Sequence, residues 1–132
     1  MFHTFVIVED AMHNGLSRSS QSDIQRYLDR AEVLAATRDQ LIKDLALDPA
    51  FFPLPPVGDG AFEALRATVL PVLEALFARG AHDLQVAMYR VDIPEGHLKR
   101  TMEIGGLDEL AGEVVLRALQ KVLTRLRYAG KF

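Results

Sequence analysis

The sequence predicts a mainly α-helical protein, a compact bundle of five or six helices with one short extended segment near the N-terminus. Apolar residues recur every three or four positions along most of the chain, which is the helical period. Apolar residues make up 49% of the 132 residues and charged residues 25%, as in globular proteins. We expect one helical domain, residues 1–132, because a chain of this length can form a single core.

The amino-acid composition excludes several kinds of chemistry. The chain has no cysteine, which excludes disulfides, thiolate nucleophiles and iron–sulfur ligation. Its net charge of −3 argues against general binding to nucleic acids or anionic membranes. The first residues have neither a basic leader nor a small-residue cleavage site, and no apolar run reaches the ~20 residues that cross a bilayer. We therefore expect a cytoplasmic protein without membrane association.

Residues 1–16 are expected to contain the extended segment. The run from Phe5 to Val8 is aromatic and β-branched, which is typical of a strand. A single strand leaves its backbone groups unpaired, and the sequence offers no convincing second strand. The same segment of a second copy is then the expected partner, which predicts a homodimer with Phe5 and Ile7 at its interface.

The first helix is predicted to follow a serine-rich stretch, where Ser20 and Asp23 have capping-box spacing. It should end by Asp48, because a residue that precedes proline avoids helical backbone angles. Arg38 falls where the apolar pattern requires an apolar residue. Either the helix bends there, or the arginine reaches past the edge of the core with its stem buried.

Residues 49–60 are predicted to form a stiff proline-rich connector, because proline fixes the backbone angle φ. Phe51 and Phe52 lie among the prolines and are expected to pin this segment to the core. A docking surface is the alternative interpretation. The prolines concerned are Pro49, Pro53, Pro55 and Pro56.

The second helix is predicted from about Gly60 to Arg79, with Asp59 as its cap and Gly80 as its stop. Its inward-facing positions are apolar and include Phe77. Pro71 lies inside the helix and is expected to kink or divide it, because proline removes one backbone hydrogen bond and clashes with the preceding turn.

Residues 83–104 are predicted to form two short helices. The first fits helical spacing better than strand alternation, with Asp83 as its N-cap. Asp92 should cap the second, which ends at Gly105–Gly106. The alternative is a β-hairpin that turns at residues 94–96.

The last helix, from about Leu107 to Tyr128, has a continuous apolar stripe. Acidic residues lie at its start and basic residues toward its end, which complements the helix dipole. Glu113 and Arg117 are spaced for an ion pair.

Two segments carry a family resemblance. The run Met88–Glu95 resembles a segment of small uncharacterised helical bacterial proteins, with the pattern apolar-Tyr-Arg-apolar-Asp-apolar-x-Glu. The run Leu116–Lys121, followed by more basic residues, resembles a later helix of the same proteins. The resemblance implies a helical bacterial protein and no particular activity.

A metal site is the first candidate function. Glu9, Asp10 and His13 offer the oxygen and imidazole ligands that zinc or manganese accepts, and other histidines could join them. Their spacing matches no established motif, so a solvated turn is the favoured interpretation and no cofactor is expected. The other histidines are His3, His82 and His97.

The second candidate is a polar cluster of Tyr89, Arg90, Asp92 and Glu95. A buried arginine beside two carboxylates could bind an anion or shift a carboxyl pKa for acid–base work. Helix capping by the acids and pairing with Arg90 explain the same residues structurally, and we favour this explanation.

The third candidate is the basic face formed by Arg117, Lys121 and Arg125, which could contact phosphates. Dipole complementarity and ion pairing explain these charges without nucleic acid. The sequence has neither a nucleophile elbow nor a glycine-rich phosphate loop. We therefore favour a non-enzymatic interaction or assembly module that forms a homodimer. The alternatives are a small-molecule or metal-binding enzyme and a nucleic-acid-binding accessory factor.

Overall fold

A computed structural model describes residues 23–130 of the chain, and helices dominate this part. The α-helices are α1 (Ala31–Leu45), α2 (Ala61–Arg79), α3 (Ala81–Arg90) and α4 (Glu95–Tyr128). Residues 23–25 are also helical, and two 3₁₀ turns span Arg26–Asp29 and Pro49–Phe51. Residues 23–130 contain no strand, so the mainly α-helical prediction is confirmed. The extended segment predicted in residues 1–16 lies outside the described residues.

The first predicted helix is not continuous. Arg30 has extended backbone angles (φ −99°, ψ 121°) and separates the first 3₁₀ turn from α1. That turn buries Leu28 against α1 and α2. The helix ends at Leu45, before Asp48 as predicted, because Ala46 takes the left-handed conformation (φ 54°). α1 continues through Arg38 without interruption. Of the two alternatives, a bend at this residue or an arginine that reaches past the edge of the core, the second is therefore correct.

Pro71 was expected either to kink α2 or to divide it, and the helix is not divided. Pro71 and Ala67, whose carbonyl group loses its helical donor, are both exposed, and water can hydrate that carbonyl. The N-cap is Gly60 without a side-chain bond, so the capping prediction for Asp59 is wrong. Phe77 is about half exposed instead of lying in the core.

The helical prediction for the next segment is confirmed, and the hairpin alternative is wrong. α3 begins directly after Gly80 (φ 134°), which ends α2, so the two helices share one capping residue. Asp83 therefore lies inside α3 and pairs with Arg79 at 3.0 Å. Asp92 takes a left-handed conformation (φ 69°), and Pro94, not Asp92, precedes the first turn of α4.

α4 consists of two arms, residues 95–105 and 107–128, separated by Gly106 with non-helical angles (φ 66°, ψ −155°). This confirms the predicted stop at Gly105–Gly106. His97 Nε2 lies 3.4 Å from Glu113 Oε2, although a straight helix would separate these residues by about 24 Å at 1.5 Å per residue. The first arm therefore folds back along the second as a helical hairpin.

The second arm of α4 is the central helix. It packs against α1 and α2, and nearly all of its circumference is buried between Leu110 and Leu123. A helix that is apolar on most sides belongs in the interior. No helix in the described part of the chain is both long and apolar enough to span a membrane.

Candidate functional site

The predicted metal ligands Glu9, Asp10 and His13 lie outside the described residues. Within residues 23–130, no group of three or more histidine and acidic side chains is arranged to hold a metal ion. His97 is engaged with Glu113 and His82 is exposed.

The polar cluster predicted around the α3–α4 junction lies on the surface. Tyr89, Arg90, Asp92 and Glu95 are all exposed, so the buried arginine required by the anion-binding hypothesis is not found. The carbonyl group of Arg90 and the carboxylate of Asp92 instead accept contacts from Lys121 Nζ, at 3.3 Å and 3.4 Å.

The predicted basic face of the last helix makes contacts within the protein, with Arg117 and Lys121 partly buried and Arg125 exposed. Lys121 Nζ donates to Asp44 Oδ2 at 2.8 Å, and Arg125 Nη1 donates to Gln40 Oε1 at 2.7 Å. Gln40 Nε2 in turn donates to Asp44 Oδ1 at 2.9 Å. This network joins the second arm of α4 to α1.

Arg117 completes this set of contacts. Its Nη1 donates to the carbonyl oxygen of Asp92 at 3.0 Å, across the α4 hairpin. Burial lowers the pKa of Arg117, and the charges of Glu113 and Asp92 act in the opposite direction. The predicted ion pair between Glu113 and Arg117 does not form at contact distance in the described structure, because Glu113 faces His97. All three residues that were predicted to contact phosphates thus make contacts within the protein.

A cavity of about 270 Å³ lies between α2 and the second arm of α4. Arg66 crosses it, with Nε and Nη2 donating to Glu63 Oε1 at 3.0 Å and 2.8 Å and Nη1 donating to Asp108. The bonds to Glu63 and Asp108 raise the pKa of Arg66. Sequence reasoning missed this cluster, which joins residues from two distant helices.

The proline-rich connector shows a burial pattern with a period of three. We call residues 49–58 the strap. Phe52 is 1% exposed, and Pro55 and Gly58 are half-buried. Phe51, Leu54 and Val57 are 82%, 53% and 49% exposed. Of the two phenylalanines expected to pin this segment, Phe52 enters the core as predicted. The prediction is wrong for Phe51, which points to solvent.

Arg38 fixes the strap through two hydrogen bonds to its carbonyl groups. Its Nε donates to the carbonyl oxygen of Phe52 at 2.7 Å, and its Nη2 donates to that of Pro49 at 3.0 Å. Asp48 Oδ1 accepts from Ala50 N–H at 2.9 Å and starts the 3₁₀ turn. The strap is thus fixed by a buried ring and three hydrogen bonds, while one of its faces presents apolar side chains to solvent.

Comparison of the chain with protein-family models, curated proteins and solved structures finds no match.

Proposed function

We propose that this chain is a protein-interaction module and that the outward face of the strap is its binding surface. The observation that carries the proposal is the exposure of Phe51, Leu54 and Val57 on a segment whose opposite face is anchored. Single exposed apolar residues are ordinary, but several within one short segment indicate a contact surface.

The anchoring of the strap supports this proposal energetically. A flexible loop would lose conformational entropy when a partner bound it, at about 0.5–1.5 kcal/mol per immobilised side chain and more for the backbone. Arg38 and Phe52 already restrict the strap in the free protein. Burial of a Phe or Leu side chain contributes about 1.5–3 kcal/mol, so little of this gain is offset by ordering.

The basic face of the last helix gives less support to the nucleic-acid alternative. The charges of Arg117, Lys121 and Arg125 already stabilise bonds to oxygens of the protein itself, so no phosphate is needed to explain them.

Homodimer formation through the N-terminal segment is a separate part of the proposal, and it rests on the sequence. Phe5→Asp and Ile7→Asp are expected to convert a dimer into a folded monomer in native mass spectrometry. Variants that stay dimeric would exclude this segment as the interface, and the strap proposal would be unaffected.

The experiment that tests the strap is isolation of the full-length chain from the cells that produce it. A double variant, Phe51→Ser with Leu54→Ser, removes the exposed apolar groups without touching Phe52. Phe77→Ser with Tyr128→Ser is the matched control, since both residues are exposed outside the strap. We expect the strap variant to lose its bound protein by about tenfold or more while the control retains it. Equal retention by both variants would refute the proposal.

A further inference from the structure

We infer that the strap is a polyproline II ligand whose partner is a protein domain with an aromatic-lined groove and a basic rim. This inference rests on the proposed function and names the partner of the same surface. It follows from three properties of residues 48–59: their backbone period, their two exposed edges and their charge.

The first property is the backbone period. A polyproline II helix has three residues per turn, so every third residue lies on one edge. In the strap, Phe52 and Pro55 face the protein and lie three residues apart, while Gly58 (φ 130°) lies outside polyproline II angles and ends the stretch. Proline fixes φ near −65° and keeps the preceding residue extended, and Phe52 has the expected extended angles (φ −124°, ψ 90°).

The second property is that the two remaining edges are exposed and apolar. Pro53 and Pro56 form one edge, and Leu54 and Val57 form the other. Each exposed proline is therefore followed by an exposed aliphatic residue, and the pair repeats after one turn. Grooves between aromatic rings bind such pairs because flat rings pack against pyrrolidine rings and aliphatic side chains.

The carbonyl groups of the strap add hydrogen-bond acceptors. Those of residues 53–57 accept no backbone hydrogen bond from the described residues. Proline supplies acceptors but no N–H donor. These oxygens can accept hydrogen bonds from a partner, and the indole N–H of Trp and the hydroxyl of Tyr are donors that aromatic residues of a groove already carry.

The third property is charge. Between Lys43 and Arg66 the chain has four acidic residues and no base. Asp44 and Glu63 are engaged by Lys121 and Arg66, whereas Asp48 and Asp59 lie exposed at the two ends of the strap. Charge complementarity thus calls for lysine or arginine residues on the rim of the groove.

The test is photo-crosslinking of the purified full-length chain in a lysate of the cells that produce it, with p-benzoylphenylalanine in place of the exposed Phe51. The probe competitor is a synthetic peptide of residues 48–59, and the control peptide has alanine at its four prolines. We expect an adduct with a different protein, and we expect the proline peptide to reduce its yield while the control peptide does not.

Two variants of the crosslinking chain test the proline edge and the acidic charge separately. Pro53→Ala with Pro56→Ala removes one edge and should lower adduct yield by about tenfold. Asp59→Lys leaves the prolines intact and should lower the yield several-fold in low salt, with a smaller effect in high salt. Unchanged circular dichroism melting curves establish that both variants are folded.

Other outcomes overturn the inference in distinguishable ways. An adduct that is insensitive to the proline variant and to the peptide would refute polyproline recognition and leave the interaction function standing. An adduct with a second copy of this chain would make the strap a dimer contact and also overturn the inference. Absence of any adduct, together with equal retention in the serine-variant experiment, would refute both proposals.

Discussion

Replacement of Arg38 by methionine tests whether this side chain fixes the strap. Methionine keeps an apolar stem of similar length but removes the bonds to the carbonyl oxygens of Phe52 and Pro49, at 2.7 Å and 3.0 Å. Hydrogen bonds from a charged donor contribute about 1.5–3 kcal/mol each when buried. The Arg38 side chain is 23% exposed and Pro49 lies at the surface, so water replaces part of what is lost.

We therefore expect a decrease of about 1–2 kcal/mol in the free energy of unfolding, measured by urea denaturation. Arg38→Lys should recover at most about half of it, because an ammonium group lacks the planar fork that contacts two carbonyl groups. Arg100→Met is the matched control, since Arg100 is exposed on the first arm of α4, and it should change stability by less than about 0.5 kcal/mol.

A local assay distinguishes loss of the clamp from a general loss of stability. Chymotrypsin cleaves after large apolar residues, and within the strap only the Phe51–Phe52 bond is open to it, since proline follows Phe52 and Leu54. Arg38→Met should speed cleavage at this bond under native conditions, and Arg100→Met should not. Equal stability and equal cleavage in the two variants would refute the clamp.

Three further changes test the interior. Gly106→Ala should destabilise the protein by about 1–3 kcal/mol, because the backbone angles of Gly106 (φ 66°, ψ −155°) suit only glycine. The control Gly96→Ala should be neutral or stabilising, since Gly96 lies in regular helix and its nearest neighbour is 3.7 Å away. Equal effects of the two changes in urea denaturation would contradict backbone strain at Gly106. Lys121→Met should cost about 2–3 kcal/mol because it leaves the Asp44 carboxylate, 9% exposed, without its cation, and a second change of Asp44 to leucine should restore most of the loss. Gln120→Met should raise the melting temperature, because the buried Gln120 amide has no hydrogen-bond partner among the described residues; a lower melting temperature would mean that the amide is satisfied.

The helices were predictable because their signal is local. Apolar spacing recovered α2 to α4 to within a few residues, and the glycine pair predicted the break at Gly106. The first predicted helix was wrong at its start, because it ran across the extended residue Arg30. The N-caps were not predictable in the same way. Asp59, Asp83 and Asp92 have suitable side chains, but a cap also requires the right backbone angles. At the α2–α3 corner those angles are set by Gly80, which joins two helices without an intervening loop.

The strap was recognised as stiff and proline-rich, but its faces were not resolved. Phe51 and Phe52 are identical neighbours, and only their positions in a three-residue period distinguish solvent from core. Templates with periods of 3.6 and 2 do not detect that pattern. Arg38 was detectable as a break in the apolar stripe, yet its carbonyl partners belong to a segment more than ten residues away.

The basic residues of the last helix show why a charge pattern alone does not indicate a binding face. A charged residue on the covered part of a central helix requires a partner from a neighbouring element, because burial of an unpaired charge is costly. Lys121 and Arg125 reach α1, and Arg117 reaches back across the hairpin. The positive charges that suggested an external ligand in the sequence therefore hold the bundle together. The apolar residues of the strap present the opposite case. The bundle anchors their backbone, yet Phe51, Leu54 and Val57 stay about half exposed or more, and it is there that we expect a second protein to bind.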